Sequence, residues 1–294
     1  MSMNTGQFGN LYTRKIDRAF FEAWDEEKEQ WSQYLQDETA TDNNVTVQTF
    51  AGLGKWEKKL ELANPTEENF KLGDLIVTTF EPFSKEVVMS REQVDDSKYK
   101  EVENMSRDAG HAGRETVEAE SVKVLDNAFT VNQYDGVPLF SDAHPNRGNA
   151  GGTQSNLATG SLTDANLKSG IVLFRKQKDE AGKQIMSRAK KLIVHQAQQF
   201  NAAAILQSSQ MSGTANNDKN TLPTLQIVEL DFIASETAWF LQGARHQLKH
   251  YWRIKPEFKR ASEMERNGSW VWTGYFRHAI STENWRMTVG STGV

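Results

Sequence analysis

Apolar residues recur at helical spacing near the amino terminus of the chain. They follow one another at intervals of four or seven residues: Ile16, Phe20, Trp24, Trp31 and Leu35. This spacing predicts a helix over residues 17–36 with one apolar face. Residues 5–10 are too rich in glycine to predict a stable element, and the polar residues 39–44 predict a break. Nothing close in sequence can cover the apolar face. We therefore expect Trp24 and Trp31 to pack on the body of the protein or on a neighbouring chain.

A second and longer stretch of helical spacing begins near Val94 and stops at residues 127–129. Its small and apolar positions are Val102, Met105, Ala109, Ala112, Thr116, Ala119, Leu125 and Phe129. A helix of about 33 residues would be about 50 Å long, whereas the mean helix has about 11–12 residues. Gly110 and Gly113 lie in its middle, where each glycine costs about 1 kcal/mol relative to alanine. They indicate either close packing of another backbone or a point at which the helix can bend.

Between the two helical stretches, residues 46–89 predict a long β-hairpin. The first strand is mostly charged with single apolar residues, and residues 64–69 form a turn cluster. The return strand alternates through Phe70, Leu72, Ile76, Thr78 and Phe80. A lone hairpin of this length is marginally stable because it cannot bury both faces. We expect it either to lie on its own domain or to reach another subunit.

The remainder of the chain predicts alternating helices and strands, followed by a β-rich end. A helix is predicted to begin at Thr163, with a short helix at residues 200–206. The predicted strands cover residues 190–194, 225–230, 238–241, 251–254 and 270–276. The pattern as a whole predicts an α+β protein with two protrusions, an arm and a hairpin.

The composition of the 294-residue chain excludes several classes of protein. It has no cysteine, so disulfides and thiolate metal sites are excluded. Mean hydropathy is −0.65, and no run of about 18 apolar residues occurs, so no membrane partner is expected. The net charge of −5 argues against a general nucleic-acid binder.

The charge is unevenly distributed along the chain. Residues 1–45 contain four basic and nine acidic side chains, and residues 240–294 contain nine basic and four acidic ones. This distribution has two interpretations. The two segments form separately solvated surfaces, or the acidic start of one subunit lies on the basic end of another, since complementary potentials orient association.

Candidate catalytic residues are few. Ser141, Asp142 and His144 invite a hydrolase interpretation, but no Gly-x-Ser-x-Gly elbow presents the serine. A histidine before proline in a turn more often satisfies local hydrogen bonds. His246 and His250 lie four apart without a third ligand nearby, which argues against a metal site. No phosphate-binding or dinucleotide motif occurs. We expect no enzyme activity, cofactor or metal.

Basic and aromatic residues are interleaved at residues 250–255. Such a segment could stack the bases of single-stranded nucleic acid. The alternative, which we favour, is a strand that faces the core and whose basic neighbours face solvent.

The order of several short motifs resembles the major head subunits of Mu-like tailed phages and prophages. The first of these are Asn127-Ala128-Phe129, Asp135-Gly136, Leu139-Phe140 and His144-Pro145. Further along the chain come Leu162-Thr163, Asn166-Leu167, Lys178-Asp179, Gly182, Trp239-Phe240-Leu241, Pro256-Glu257-Phe258, Asn284-Trp285-Arg286 and Ser291-Thr292-Gly293. Each motif is weak alone, but the joint order is specific and extends over nearly the full chain.

The resemblance implies the Hong Kong 97 capsid fold. In that plan residues 1–45 are the N-terminal arm, 46–89 the extended E-loop hairpin and 90–130 the spine helix of the peripheral domain. Residues 131–242 form the axial domain, and residues 243–294 return as strands to the peripheral domain.

The resemblance also implies a function. Many copies would assemble as hexamers and pentamers into an icosahedral shell that encloses double-stranded DNA without sequence-specific binding. The protein would be made in the bacterial host cytoplasm and end in the virion, with scaffold, portal and decoration proteins as further partners. Because the arm starts almost at Met1, a separate scaffold or a scaffold-free route is expected. The alternative from the same fold is an encapsulin-like compartment shell.

Six residues are the candidate inter-subunit contacts: Trp24, Trp31, Lys55, Trp56, Lys58 and Lys59. Some capsids of this fold join a hairpin lysine covalently to an asparagine. The three lysines lie in the matching element, but lysines are common there and the sequence identifies no partner asparagine.

Overall fold

The computed structural model describes residues 5–50, 56, 58–62, 64–65, 67, 72–96, 99–146, 151–180, 182–210, 219–261 and 268–294. The helices in this part of the chain are α1 (Thr5–Trp24), α2 (Arg91–Asp95), α3 (Tyr99–Asp126), α4 (Asp164–Lys176) and α5 (Gln199–Gln207). None of them is both long enough and apolar enough to cross a membrane. The strands are β1 (Gln36–Thr39), β2 (Asn44–Phe50), β3 (Leu72–Thr79), β4 (Glu81–Met89), β5 (His144–Pro145), β6 (Thr153–Gln154), β7 (Ala189–His195), β8 (Gln226–Leu230), β9 (Trp239–Gly243), β10 (Gln247–Arg260), β11 (Trp270–Asn284) and β12 (Thr288–Ser291).

The first sheet has the order β1-β10-β11-β4 and is covered by α1 and α3. β1 is parallel to β10, and the other neighbours are antiparallel. Aromatic rings fill the space between helices and sheet. Phe20 of α1 stacks on Phe258 of β10 with ring centroids 4.3 Å apart, and Trp24 meets Phe276 of β11 edge to face. This packing joins the amino-terminal and carboxy-terminal parts of the chain in one core.

The second sheet has the order β12-β9-β7-β8 and packs with α4 and α5 around its own core. The helix predicted at Thr163 is confirmed: the Thr163 hydroxyl accepts a hydrogen bond from the Asn166 backbone N–H at 3.3 Å, as an N-cap residue does. Trp239 of β9 is fully buried under α4, where it lies against Gly170. The hydrophobic pattern correctly predicted α4 and α5 and the strands β7, β8 and β9.

The last strand departs from the predicted organisation. β10 and β11 belong to the first sheet as expected of residues 243–294, but β12 pairs with β9 in the second sheet. The chain reverses at Met287, which adopts a positive φ of 64°. The buried side chain of Gln177 holds this turn, because its oxygen accepts from the Met287 N–H at 2.9 Å and its amide donates to the Thr288 carbonyl at 2.8 Å.

The predicted helix over residues 17–36 is wrong at both ends. α1 already begins at Thr5, in spite of the glycines, and it ends at Trp24. At the observed end of α1 the Trp24 carbonyl accepts a hydrogen bond from the Arg114 guanidinium at 3.0 Å, a partner that lies 90 positions further along the chain. Trp31 lies instead in a short 3-10 turn, Trp31–Gln33, and the chain then continues into β1.

The long helix begins later than predicted. α3 has 28 residues and starts at Tyr99 rather than near Val94, so it is about 42 Å long. The separate short helix α2 precedes it. Ser90 and Gln93 cap α2 reciprocally, with side chains accepting from each other's backbone N–H at 3.3 and 3.0 Å. Aspartate at residues 95 and 96 favours helix ends over helix interiors.

β2 and β3 form the predicted hairpin, with Val47 opposite Ile76 and Phe50 opposite Leu72. The hairpin is shorter than residues 46–89, because β4 leaves it to become an edge strand of the first sheet. It therefore extends from the first sheet as a two-stranded ribbon.

Candidate assembly surfaces

The arm, residues 5–39, is fastened to α3 by two side chains one turn apart. The two carboxylate oxygens of Glu118 accept the backbone N–H groups of Gln30 and Trp31, both at 2.9 Å. Burial raises the pKa of this carboxyl above its ordinary value, although the two N–H donors oppose that shift. The Arg114 guanidinium donates through Nε to the Trp24 carbonyl at 3.0 Å. Arg114 thereby satisfies a carbonyl at the carboxy-terminal end of α1 and helps to end that helix.

The arm tryptophans are buried in the chain's own core. Trp24 is 5% exposed and Trp31 is 1% exposed. The Arg114 guanidinium lies 5.1 Å from the Trp24 ring, and Trp31 stacks on His250 with centroids 4.1 Å apart. The expectation that Trp24 and Trp31 serve as inter-subunit contacts is wrong. α3 and the first sheet supply the partners that the local sequence lacked.

The acidic arm finds basic partners within the same chain. Glu22 pairs with Arg18 of α1 at 2.6 Å and with Arg107 of α3 at 3.2 Å. Glu29 accepts from Arg114 at 2.8 Å. Much of the arm's negative charge is therefore matched by α1 and α3 themselves, which neither of the two sequence-based alternatives anticipated.

Gly110 and Gly113 lie where α3 approaches α1 most closely. A methyl group added to Gly113 would overlap the Trp24 ring, and one added to Gly110 would overlap the Phe20 carbonyl oxygen. α3 continues as an α-helix through both positions. This geometry supports the close-packing interpretation of the two glycines. A spine that flexes at this point stays a prediction.

The hairpin has the opposite character from the arm. Its strands expose four large apolar side chains, Phe50, Leu72, Leu75 and Val77, and bury Ile76. Beyond the strands, Trp56 is 100% exposed, and Leu60 and Leu62 are also exposed. A concentration of apolar side chains of this kind marks an interaction surface. We call these seven exposed residues the hairpin surface.

Of the three predicted hairpin lysines, two lie among the described residues. Lys58 and Lys59 lie exposed beside Trp56, whereas Lys55 lies outside the described residues. Their participation in contacts or cross-links between subunits stays a prediction.

Three histidines are buried near the interface of the arm and the first sheet. His250 Nε2 lies 3.1 Å from His278 Nδ1, and Trp31 covers His250. Burial lowers the pKa of His250 to about 3 and that of His278 to about 4. Burial also lowers the pKa of His246 to about 4. At neutral pH all three are uncharged. Residues 250–252 are buried, so the basic and aromatic segment is a core-facing strand, as favoured above.

His144 is a structural residue rather than a catalytic base. Its Nδ1 lies 2.6 Å from the Asp135 carboxylate and its Nε2 3.0 Å from the Asn156 side-chain oxygen, and the ring stacks on Trp285. Ser141 instead accepts the Ala143 N–H at 3.2 Å. Since both ring nitrogens of the buried His144 bond to other residues, the hydrolase arrangement with Ser141 and Asp142 is not formed.

A comparison with protein families finds a match that extends over most of the chain. A family model described as phage capsid protein matches residues 76–290. No curated protein matches the sequence significantly. The matched residues include α3, both four-stranded sheets apart from β1 and the end of β12, and the second half of the return strand β3.

Solved structures share the fold over nearly the whole chain. The bacteriophage JBD30 procapsid gives a TM-score of 0.56 at 13% identity, covering 98% of this chain and 76% of that chain. Mycobacterium phage Patience gives 0.54 at 12% identity, with 98% and 88% covered. The virus-like particle from Pyrococcus furiosus gives 0.54 at 9% identity, with 95% and 99% covered. At these identities the likeness shows a shared fold.

Proposed function

The chain belongs to the phage capsid protein family, and we propose that many copies of it assemble into the icosahedral head shell of a tailed phage and enclose its double-stranded DNA. The Hong Kong 97 capsid fold shared with phage heads supports this role. The observation that carries the proposal is the hairpin surface, which gathers seven exposed large apolar side chains in one segment outside the two buried cores.

The hairpin surface explains why assembly would be favourable. Burying a large aliphatic or aromatic side chain contributes about 1.5–3 kcal/mol. Several such residues per subunit offset the loss of translational and rotational freedom on association, which is estimated at about 4–15 kcal/mol. Each hairpin reaches a neighbouring subunit and stabilises hexamers and pentamers, with Lys58 and Lys59 at the rim of the contact.

The parts of the subunit take distinct mechanical roles in this proposal. The first sheet with α3 forms the peripheral domain and its spine, and the second sheet with α4 and α5 forms the axial domain around the symmetry axes. Scaffold, portal and decoration proteins complete the head, and the protein resides in the virion after synthesis in the host cytoplasm.

The encapsulin-like alternative would be built on the same capsid fold as the phage shell. Fold alone therefore does not separate the two functions. The match to the phage capsid family favours the phage shell.

The proposal is tested by expressing the full chain, with and without a candidate scaffold protein, and examining it by electron microscopy and analytical ultracentrifugation. Shells or capsomers are expected. A subunit that stays monomeric at high concentration in both settings contradicts the proposal. Shells that enclose a co-expressed enzyme instead of DNA would favour the compartment.

A further inference from the structure

Two adjoining depressions beside the second sheet are lined by cations and by no described carboxylate. The larger one, of about 640 Å³, is lined by Arg175, Arg188, Lys190 and Arg245. The other, of about 570 Å³, is lined by Lys176 and Lys178. Gln184 lines both, so the two depressions adjoin each other. We call these six basic residues the cationic surface. It stands out in a chain whose net charge is −5.

The cations of this surface are free to meet a ligand. Within the described part of the chain none of the six forms an ion pair, and Arg245 makes one hydrogen bond, to the Met186 carbonyl at 2.9 Å. Asp179 and Glu180 line a neighbouring depression together with Arg245, but each is engaged in another contact. Asp179 accepts from the Lys183 N–H at 2.8 Å, and Glu180 pairs with Arg286 at 3.4 Å.

The geometry of the fold explains only part of this charge. Arg175 and Lys176 lie in the last turn of α4, where cations complement the helix dipole. Arg188 lies just before β7, Lys190 lies on β7, and Arg245 lies in the turn between β9 and β10. No helix end accounts for these three positions.

The lining chemistry matches the oxygen atoms of a phosphate backbone. Arginine forks bind phosphate oxygens through paired N–H donors. Thr153 and Asn146 also line the smaller depression, where the Asn146 amide already donates to the Gly151 carbonyl at 3.0 Å. Such side chains contact phosphate and sugar in protein–DNA complexes without reading sequence. We propose that the cationic surface binds the phosphodiester backbone of double-stranded DNA. This inference rests on the proposed function, in which the shell encloses DNA.

An acidic segment of a second copy is the competing occupant. The acidic arm is its strongest candidate, but Glu22 and Glu29 already pair with Arg107 and Arg114 of the same chain. Glu22 and Glu29 are thus committed within the subunit, whereas DNA supplies a continuous row of unpaired phosphates.

The test compares two triple variants of the full chain. R188Q/K190Q/R245Q removes three charges from the cationic surface, and K28Q/K85Q/K100Q removes three exposed charges elsewhere. Binding to a fluorescent 20-base-pair duplex is measured by anisotropy between 50 and 200 mM salt. The first variant should bind roughly tenfold or more weakly, and its log–log salt slope should become shallower by about 2.7, or about 0.9 per phosphate contact. The second should match the wild type.

Additional variants and measurements serve as controls. R188K/R245K retains the charges but loses the paired N–H donors, so it should keep the salt slope of the wild type and bind more tightly than R188Q/K190Q/R245Q. Unchanged thermal unfolding shows that each variant is folded. Equal binding by both triple variants, or no binding by the wild type, overturns the proposal. Loss of capsomers on size-exclusion chromatography with DNA binding intact would instead assign the surface to a second copy. Electron microscopy separates the two hypotheses, because failure to form shells contradicts the proposed function while leaving DNA binding at this surface measurable.

Discussion

The arm and the hairpin look alike in sequence but differ in structure. Both are segments with large apolar residues and no local partner, and both were expected to seek burial on neighbouring subunits. The arm is completed within its own chain, with Trp31 1% exposed, whereas the hairpin leaves Trp56 100% exposed. The difference lies in distant residues. Arg114 and Glu118 hold the arm, whereas the base of the hairpin is joined to the first sheet by a hydrogen bond from the Thr78 hydroxyl to the Ser281 hydroxyl at 2.9 Å.

This contrast separates folding from assembly. The arm contributes to the free energy of unfolding of the single subunit, because its side chains are buried within the same chain. The hairpin surface contributes to the free energy of association. Substitutions in the two segments should therefore affect different measurements.

The largest expected effect is on the arm. Trp31→Ala removes a fully buried indole and should lower the free energy of unfolding of the subunit by about 3–5 kcal/mol, as measured by chemical denaturation. Trp56→Ala is the matched control and should leave that free energy nearly unchanged. Equal losses in the two variants would remove the distinction between arm and hairpin.

The buried histidines make the arm interface sensitive to acid. Their pKa values in the folded subunit, about 3 to 4, lie below the ordinary value of 6.5, so the unfolded chain binds protons first as pH falls. Stability is complete above about pH 6.5 and is lost as pH decreases towards 4. At pH 6 the loss should be about 0.8 kcal/mol for each of the three histidines. Chemical denaturation between pH 7 and 5 measures this loss, and His246→Gln, which removes one of the three groups, should reduce it by about a third.

The close approach of α1 and α3 is tested by Gly113→Ala. Helix propensity alone predicts a gain of about 1 kcal/mol, but overlap with the Trp24 ring should produce a net loss of about 1–3 kcal/mol. Thermal unfolding measures the change, with Glu115→Ala on the exposed side of α3 as control. A stabilised variant with altered shell expansion would restore the idea that the spine flexes at this glycine.

The smallest effect on the subunit, and a large one on assembly, is expected from the hairpin. L75S/V77S should change the free energy of unfolding by less than about 0.5 kcal/mol, since both side chains are exposed. The same variant should fail to form shells by electron microscopy. Phe200→Ser, at an exposed apolar position on α5, is the control and should assemble normally. Normal shells from L75S/V77S would show that the hairpin surface is not an assembly contact.

Local chemistry accounts for what the sequence predicted well. The start of α4 was predictable because Thr163 caps it from three residues away, and β7 and β9 because their apolar runs are fully buried. The end of α1 was not predictable. Its last carbonyl is held by Arg114, 90 positions further along the chain, and no local pattern signals such a partner.

The assembly surfaces were predicted only in part. Exposed apolar residues in a charged hairpin marked a contact surface, and the structure exposes them. The buried positions of Trp24 and Trp31 depended on α3 and on β10. The cationic surface depended on residues from α4, β7 and the turn after β9, which are scattered in sequence and meet only in the folded domain.

The parallel pairing of β1 with β10 also governs the order of events during synthesis. Gln36 donates to the His246 carbonyl at 2.8 Å across 210 positions of sequence. At about 5–20 residues per second, the ribosome needs about 10–40 s to deliver the partner strand after β1 has emerged. Until then the arm has no sheet to join, while α1 and α3 can already meet. The subunit is thus finished from its carboxy-terminal end, and the first sheet cannot close on an incomplete chain.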